Sequence, residues 1–187
     1  MRTIAIAAVM TALTGLGLAA PAAAGASTSS AARPAAAAAR SCDLHWGSTS
    51  KHAGVMVQAK VKSARAGQHR CFDRLVIDVG AGAKPGYQVR YVHRIIADGS
   101  GNVIHVRGHA RLLINVLAPA AAAFPASSHH LVAVAGFSAF RQVVGAGSFE
   151  GVTSVGVGLR ARLPFRVLEL RDPGHHTRLV IDVAHHW

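Results

Sequence analysis

Arg74-Leu75-Val76-Ile77-Asp78-Val79 recurs unchanged as Arg178-Leu179-Val180-Ile181-Asp182-Val183. Each copy follows a β-patterned run and a turn-like stretch. Ahead of the first, Val55, Val57, Ala59 and Val61 alternate with Met56, Gln58, Lys60 and Lys62, and Ala66-Gly67-Gln68-His69 follows as a turn. Ahead of the second lie Phe165–Leu170 and the turn Asp172-Pro173-Gly174-His175-His176. Side chains alternate between the faces of a strand, so Leu75, Ile77 and Val79 share one side and Arg74, Val76 and Asp78 the other. The second copy divides in the same way. The apolar set is core, and the other set places a cation and an anion on one side of a sheet. The matched contexts predict two related hairpins, one near each end of a single domain. The Arg/Asp pairs either brace neighbouring strands, worth about 0–1 kcal/mol each if exposed, or line a shared polar groove; the sequence leaves both open.

Between the copies the pattern stays β. Asp43–Ser48 reads as a short edge strand, Tyr87–Val92 and Arg111–Leu117 as longer ones, and Ala118–Ser128 as an Ala/Pro loop. Asp98-Gly99-Ser100-Gly101-Asn102 is the clearest turn signal and predicts a hairpin of Val92–Ile96 with Val103–Val106. Val155, Val157 and Leu159 alternate with Gly156 and Gly158, which predicts close approach of another chain segment on the glycine face. No long amphipathic helix is evident. Many short strands with frequent turns predict an all-β fold, a β-sandwich or an equivalent closed sheet of antiparallel strands.

The first residues follow a different logic. Met1-Arg2, an apolar uncharged run and then Pro21-Ala22-Ala23-Ala24-Gly25-Ala26 predict a secretory signal over residues 1–26. Residues 27–41 are nearly all Ala, Ser, Thr and Pro, too poor in bulky side chains to offset ordering entropy, and are expected to form a disordered leader. Residues 42–187 form the expected domain. No later segment is apolar enough to cross a bilayer, so the exported chain is not expected to span a membrane. Cys42 and Cys71 are the only cysteines. In an exported chain they predict one disulfide, stabilising by about 3–4 kcal/mol in the chain-entropy model.

The formal charge is +12, from 20 Lys and Arg against 8 Asp and Glu. An exported protein meets little nucleic acid, so none is expected as a partner. Teichoic-type polymers, peptidoglycan carboxylates, lipid head groups and acidic glycans are the anions outside, and net charge argues for attraction to such surfaces. The same Arg- and Ala-rich composition also follows from GC-rich coding.

Catalytic signatures are missing: there is no G-x-S-x-G and no H-E-x-x-H. The acidic residues are Asp43, Asp73, Asp78, Asp98, Glu150, Glu169, Asp172 and Asp182, and nothing singles out a glycosidase pair, although Glu150 is the most isolated. No catalytic residue and no cofactor is expected. The doublets His129-His130, His175-His176 and His185-His186 match no metal-ligand spacing, and neighbours on a strand point apart, so no metal is expected either. Trp46 and Trp187 are expected to fill the core or staple the termini. Tyr87 and Tyr91 share strand parity, so both hydroxyls could line one surface.

Several segments together resemble the actinobacterial secreted AMIN-like domain proteins. They are Trp46-Gly47-Ser48, His69–Arg74, Pro85-Gly86-Tyr87 through Tyr91-Val92, Asp98–Gly101, Phe149-Glu150-Gly151, Pro164–Val167 and Arg178–Trp187, in the order expected for that family. The resemblance implies an all-β fold related to AMIN domains. Those are small β-sheet modules found beside cell-wall amidases and on outer-membrane secretins, where they localise a partner by contacting peptidoglycan. It implies no catalytic residues. The expectation is therefore a secreted or wall-associated binding module for a cell-envelope glycan (peptidoglycan) or an anionic wall polymer. Arg74, Asp78, Tyr87, Arg90, Tyr91 and Arg178 are its candidate ligand surface. A protein-interaction domain docking to an envelope enzyme or extracellular protease is the rival reading, and an orphan hydrolase a third.

Overall fold

The computed structural model describes Cys42 and residues 44–187; the expected signal and leader lie outside those residues. The strands are β1 (Lys51–Ala53), β2 (Val61–Gln68), β3 (Phe72–Ala81), β4 (Gly86–Val92), β5 (Ile95–Ile96), β6 (Val103–Ile104), β7 (Ala110–Leu117), β8 (Phe140–Phe149), β9 (Val152–Leu159), β10 (Phe165–Arg171) and β11 (His176–Ala184). They form a four-stranded sheet in the order β10-β11-β3-β2, a five-stranded sheet in the order β1-β4-β7-β9-β8, and a β5-β6 ribbon, all antiparallel.

The repeat builds the middle of the four-stranded sheet. The two copies are adjacent and antiparallel, with Arg178 opposite Asp78, Val180 opposite Val76 and Asp182 opposite Arg74. Their hairpin partners, β2 and β10, take the two edges. Leu75, Ile77, Leu179 and Ile181 point inward and are buried together with Val89, Leu112, Ile114, Val155 and Val157 of the other sheet. This shared core makes the fold a sandwich, and burying each such side chain stabilises by roughly 1.5–3 kcal/mol.

A second, smaller cluster lies on the outer side of the five-stranded sheet, where Ile95 and Val106 meet Val144 and Ala146. The β5-β6 ribbon folds back onto that face. Gly156 and Gly158 permit it: a Cβ at 156 would crowd Ile95, and one at 158 would overlap the Arg107 carbonyl oxygen. The close approach expected from the alternating glycines is present.

Three expectations shift in detail. Leu44–Ser48 is irregular, and the edge strand is β1 instead. Residues 54–60 cross from one sheet to the other rather than forming a hairpin strand. Val57 donates its N–H to Leu117 and Val61 to Pro119, and both stay buried because each still faces the core. The strand before the first repeat is accordingly Val61–Gln68, and the turn falls at residues 69–71, where the His69 N–H bonds the Phe72 carbonyl. The Cys42–Cys71 disulfide is formed, with 5.4 Å between Cα atoms. It ties the start of the described chain to the entry of β3.

The outward charges of the repeat pair across copies, not within them. Asp182 is fully buried; Arg74 gives it Nε–Oδ1 2.6 Å and NH2–Oδ2 2.9 Å, and Arg166 adds Nε–Oδ2 2.8 Å. The bond to Asp182 raises the pKa of Arg74. Arg166 lies 4.4 Å over the Trp46 ring and Arg74 5.2 Å over Phe72, so aromatic faces cover this end. The opposite end is open. Asp78 bonds Ser63 at 2.7 Å and Arg65, and Arg178 approaches it at 3.5 Å with 45% of its side chain exposed.

That asymmetry predicts unequal consequences. Asp182→Ala removes three charge-assisted hydrogen bonds to a fully buried carboxylate and is expected to destabilise by more than about 2 kcal/mol. Asp78→Ala breaks an exposed network and should cost under about 1 kcal/mol. Urea unfolding of both variants measures the difference, and equal losses would refute the assignment.

Candidate functional site

Arg74, Asp78 and Arg178 do share one surface, the outer face of the four-stranded sheet, but each of the three already has a counter-charge. Arg178 also reaches Asp172 at 3.6 Å, and Arg65, Arg74 and Arg166 are each paired. Of the two arrangements that the sequence left open, the pairs brace neighbouring strands.

Tyr87, Arg90 and Tyr91 lie on the other sheet. Tyr87 and Tyr91 do share a face, and it is the inward one, where both pack at the margin of the core. The Tyr91 hydroxyl donates to the Leu163 carbonyl at 2.7 Å and accepts the Leu163 N–H at 2.9 Å. Burial pushes it up to about 12, against the opposing influence of the Leu163 bond and the Arg162 charge. Arg90 has the opposite parity and sits on the outer face beside Leu113. The six residues therefore do not form one site.

A different set of cations remains open. Where β4 ends, His93 and Arg94 turn away from the sheet. The chain leaving β6 carries His105 and Arg107, and β7 presents Arg111 outward opposite Val92 and Gly158. Glycine at 158 lets the Arg107 backbone pack on the sheet beside Arg111. These five side chains, with Val103, Ile104 and Val106, line a recess of about 390 Å³ between ribbon and sheet. A second recess of about 250 Å³ shares His93 and Arg111 and is completed by Tyr91, His109 and Arg162. Arg162 lies 4.8 Å over the Tyr91 ring and donates to the Ser48 hydroxyl and carbonyl at 3.2 Å, so it is held at the rim.

Among the described residues no carboxylate lines either recess. Among the described residues Arg90, Arg94, Arg107, Arg111 and Arg162 take part in no ion pair. The distribution of acids explains this. Asp73, Asp78, Glu169, Asp172 and Asp182 all belong to the four-stranded sheet or its turn, whereas residues 99–149 contain neither Asp nor Glu. Several guanidinium groups around a concave surface raise the local positive potential and draw anions.

The remaining polar groups have structural partners. Buried Asp73 accepts the Ala139 and Phe140 N–H groups at 2.6 and 2.9 Å and meets His185 Nε2 at 2.9 Å, so one of the doublet histidines is a tether and not a solvated loop residue. Glu150 and Gly151 have φ of 48° and 81°, the geometry of a tight hairpin turn. Among the described residues no group of three or more His, Cys, Asp or Glu could hold a metal ion, and no helix is long and apolar enough to cross a membrane.

Sequence reasoning passed over the cleft. The alternation of Arg111, Leu113 and Asn115 with buried Leu112, Ile114 and Val116 places Arg111 outward, and the acid-free run around it was the available signal.

The family model described as the AMIN-like domain matches residues 59–185. No curated protein and no solved structure matches the chain.

Tyr87 and Tyr91 are the chain's only tyrosines, which makes the Tyr91 clamp measurable. Its folded hydroxyl titrates above the ordinary value of about 10, so the clamp's contribution to stability is intact below that pH and lost as pH rises toward 12. Absorbance titration should show one tyrosine ionising near 12, and Tyr91→Phe should remove that step. Two ionisations at the ordinary pH would contradict the clamp.

Proposed function

The chain belongs to the AMIN-like domain family, and we propose that it is an exported, non-catalytic module that holds an anionic polymer of the cell envelope in the cleft around Arg111. The family points to a peptidoglycan-associated binding role. The observation that carries the rest is the contrast between two sets of arginines: those of the repeat are neutralised by Asp78, Asp172 and Asp182, and those of the cleft face no carboxylate. A ligand that supplies the missing negative charge completes the second set with charge-assisted hydrogen bonds. The disulfide suits an oxidising compartment outside the cytoplasm.

A second reading, docking to an envelope protein, has one observation in its favour. Val55, Met56 and Phe149 are 70%, 50% and 54% exposed, and the last two line a common recess with Gly99 and Val152.

Sedimentation of the protein with purified cell-wall sacculi tests the proposal. The wild type should co-sediment and be released by salt, because exposed charge contacts are screened. Replacing Arg94, Arg107 and Arg111 together with Ser should abolish retention, whereas Arg178→Ser should not. A triple variant retained like the wild type would sink the cleft; no retention of the wild type by the sacculi would favour the protein-docking surface.

A further inference from the structure

The shape of the cleft narrows the chemistry of its ligand, an inference that rests on the binding role proposed for the Arg111 cleft. Three guanidinium groups and two imidazoles border the first recess, and they come from three separate backbone elements: the turn after β4, the exit of β6 and the outer face of β7. A carboxylate offers its lone pairs in one plane and is satisfied by a single arginine fork. Donors arriving from three sides match the non-planar oxygens of a phosphoryl group better, and arginine is the side chain suited to phosphate. The second recess repeats the arrangement with Arg162 and His109, and it shares Arg111 and His93 with the first. Two anion-accepting recesses joined by common residues suit a ligand with two anionic groups in sequence.

We propose that the recess bounded by Arg94, Arg107 and Arg111 is a phosphoryl subsite and that the recess on the other side of Arg111 takes the next phosphoryl group of the same strand. The ligand is then a linear polymer of phosphodiester-linked polyol or sugar units. Arg107 serves the first subsite alone, Arg162 the second, and Arg111 both. The neutralised outer face of the four-stranded sheet takes no part.

Calorimetric titration of the full chain tests this, with glycerol phosphate oligomers of increasing length and oligogalacturonates of equal charge as probes. Affinity should rise by about tenfold or more from the single unit to the dimer, and the phosphate oligomer should bind about tenfold tighter than the uronate; tenfold corresponds to about 1.4 kcal/mol. Losing one charge-assisted contact is worth roughly 10- to 100-fold. Arg107→Gln should therefore weaken the dimer by at least about tenfold, with Arg107→Lys recovering part of the loss. Arg111→Gln should remove the gain from length while leaving the melting temperature unchanged. Equal affinity for the uronate, or no gain from length, would overturn the phosphoryl assignment while leaving the binding role intact. The same holds if no soluble oligomer binds but the protein still sediments with sacculi. Tighter binding of a thymidylate oligomer of equal charge would assign the cleft to nucleic acid instead. Failure of both the oligomers and the sacculi would remove the underlying role as well.

Discussion

Antiparallel pairing of the repeated hexapeptide with its own second copy is the constraint from which the rest of the fold derives. A strand with Arg at one position and Asp four residues later is complementary to itself when reversed, so Arg74 meets Asp182 and Arg178 meets Asp78 in a single register. A slip of one residue would turn the Leu, Ile and last Val side chains of a copy away from the core and bury its charges. Register, core face and salt bridges therefore select the same alignment. The hairpin partners β2 and β10 are then placed at the edges. The Leu and Ile side chains of both copies meet the five-stranded sheet, and the disulfide and Trp46 cover the end where Asp182 is buried.

The same constraint shapes the electrostatics. Holding the repeat together draws Asp78, Asp172 and Asp182 to one sheet, in a chain with only 8 acidic residues. Little negative charge is left for the other sheet, and among the described residues the arginines around Arg111 take part in no ion pair. The face that displays the most conspicuous charged motif is the one least able to bind an anion. The face with no motif keeps cations that pair with no carboxylate among the described residues.

Much of the fold was legible because it is written locally. The hairpin context of each repeat, the Asp98–Asn102 turn and the glycine face of β9 depend on neighbours in sequence, and all three are present. Which face of β4 looks inward is not local: Tyr87 and Tyr91 have the parity expected from their spacing, but only the opposing sheet makes that side the core. The first hairpin strand was misplaced because residues 54–60 keep an alternating pattern while crossing between sheets. The cleft was hidden for a related reason. It arises where the β5-β6 ribbon folds back onto the sheet, a long-range packing of Ile95 and Val106 on Val144 and Ala146 that brings Arg107 near Arg111.

The charges of the repeat serve the fold, and we propose that the cations of the cleft serve the ligand. Backbone amide shift mapping on the isotopically labelled chain, titrated with glycerol phosphate polymer, examines both halves of that claim at once. Shifts should concentrate at His93, Arg94, His105, Arg107, His109 and Arg111, with Arg74, Asp78, Arg178 and Asp182 undisturbed. Shifts centred on those four residues, with the cleft silent, would contradict it.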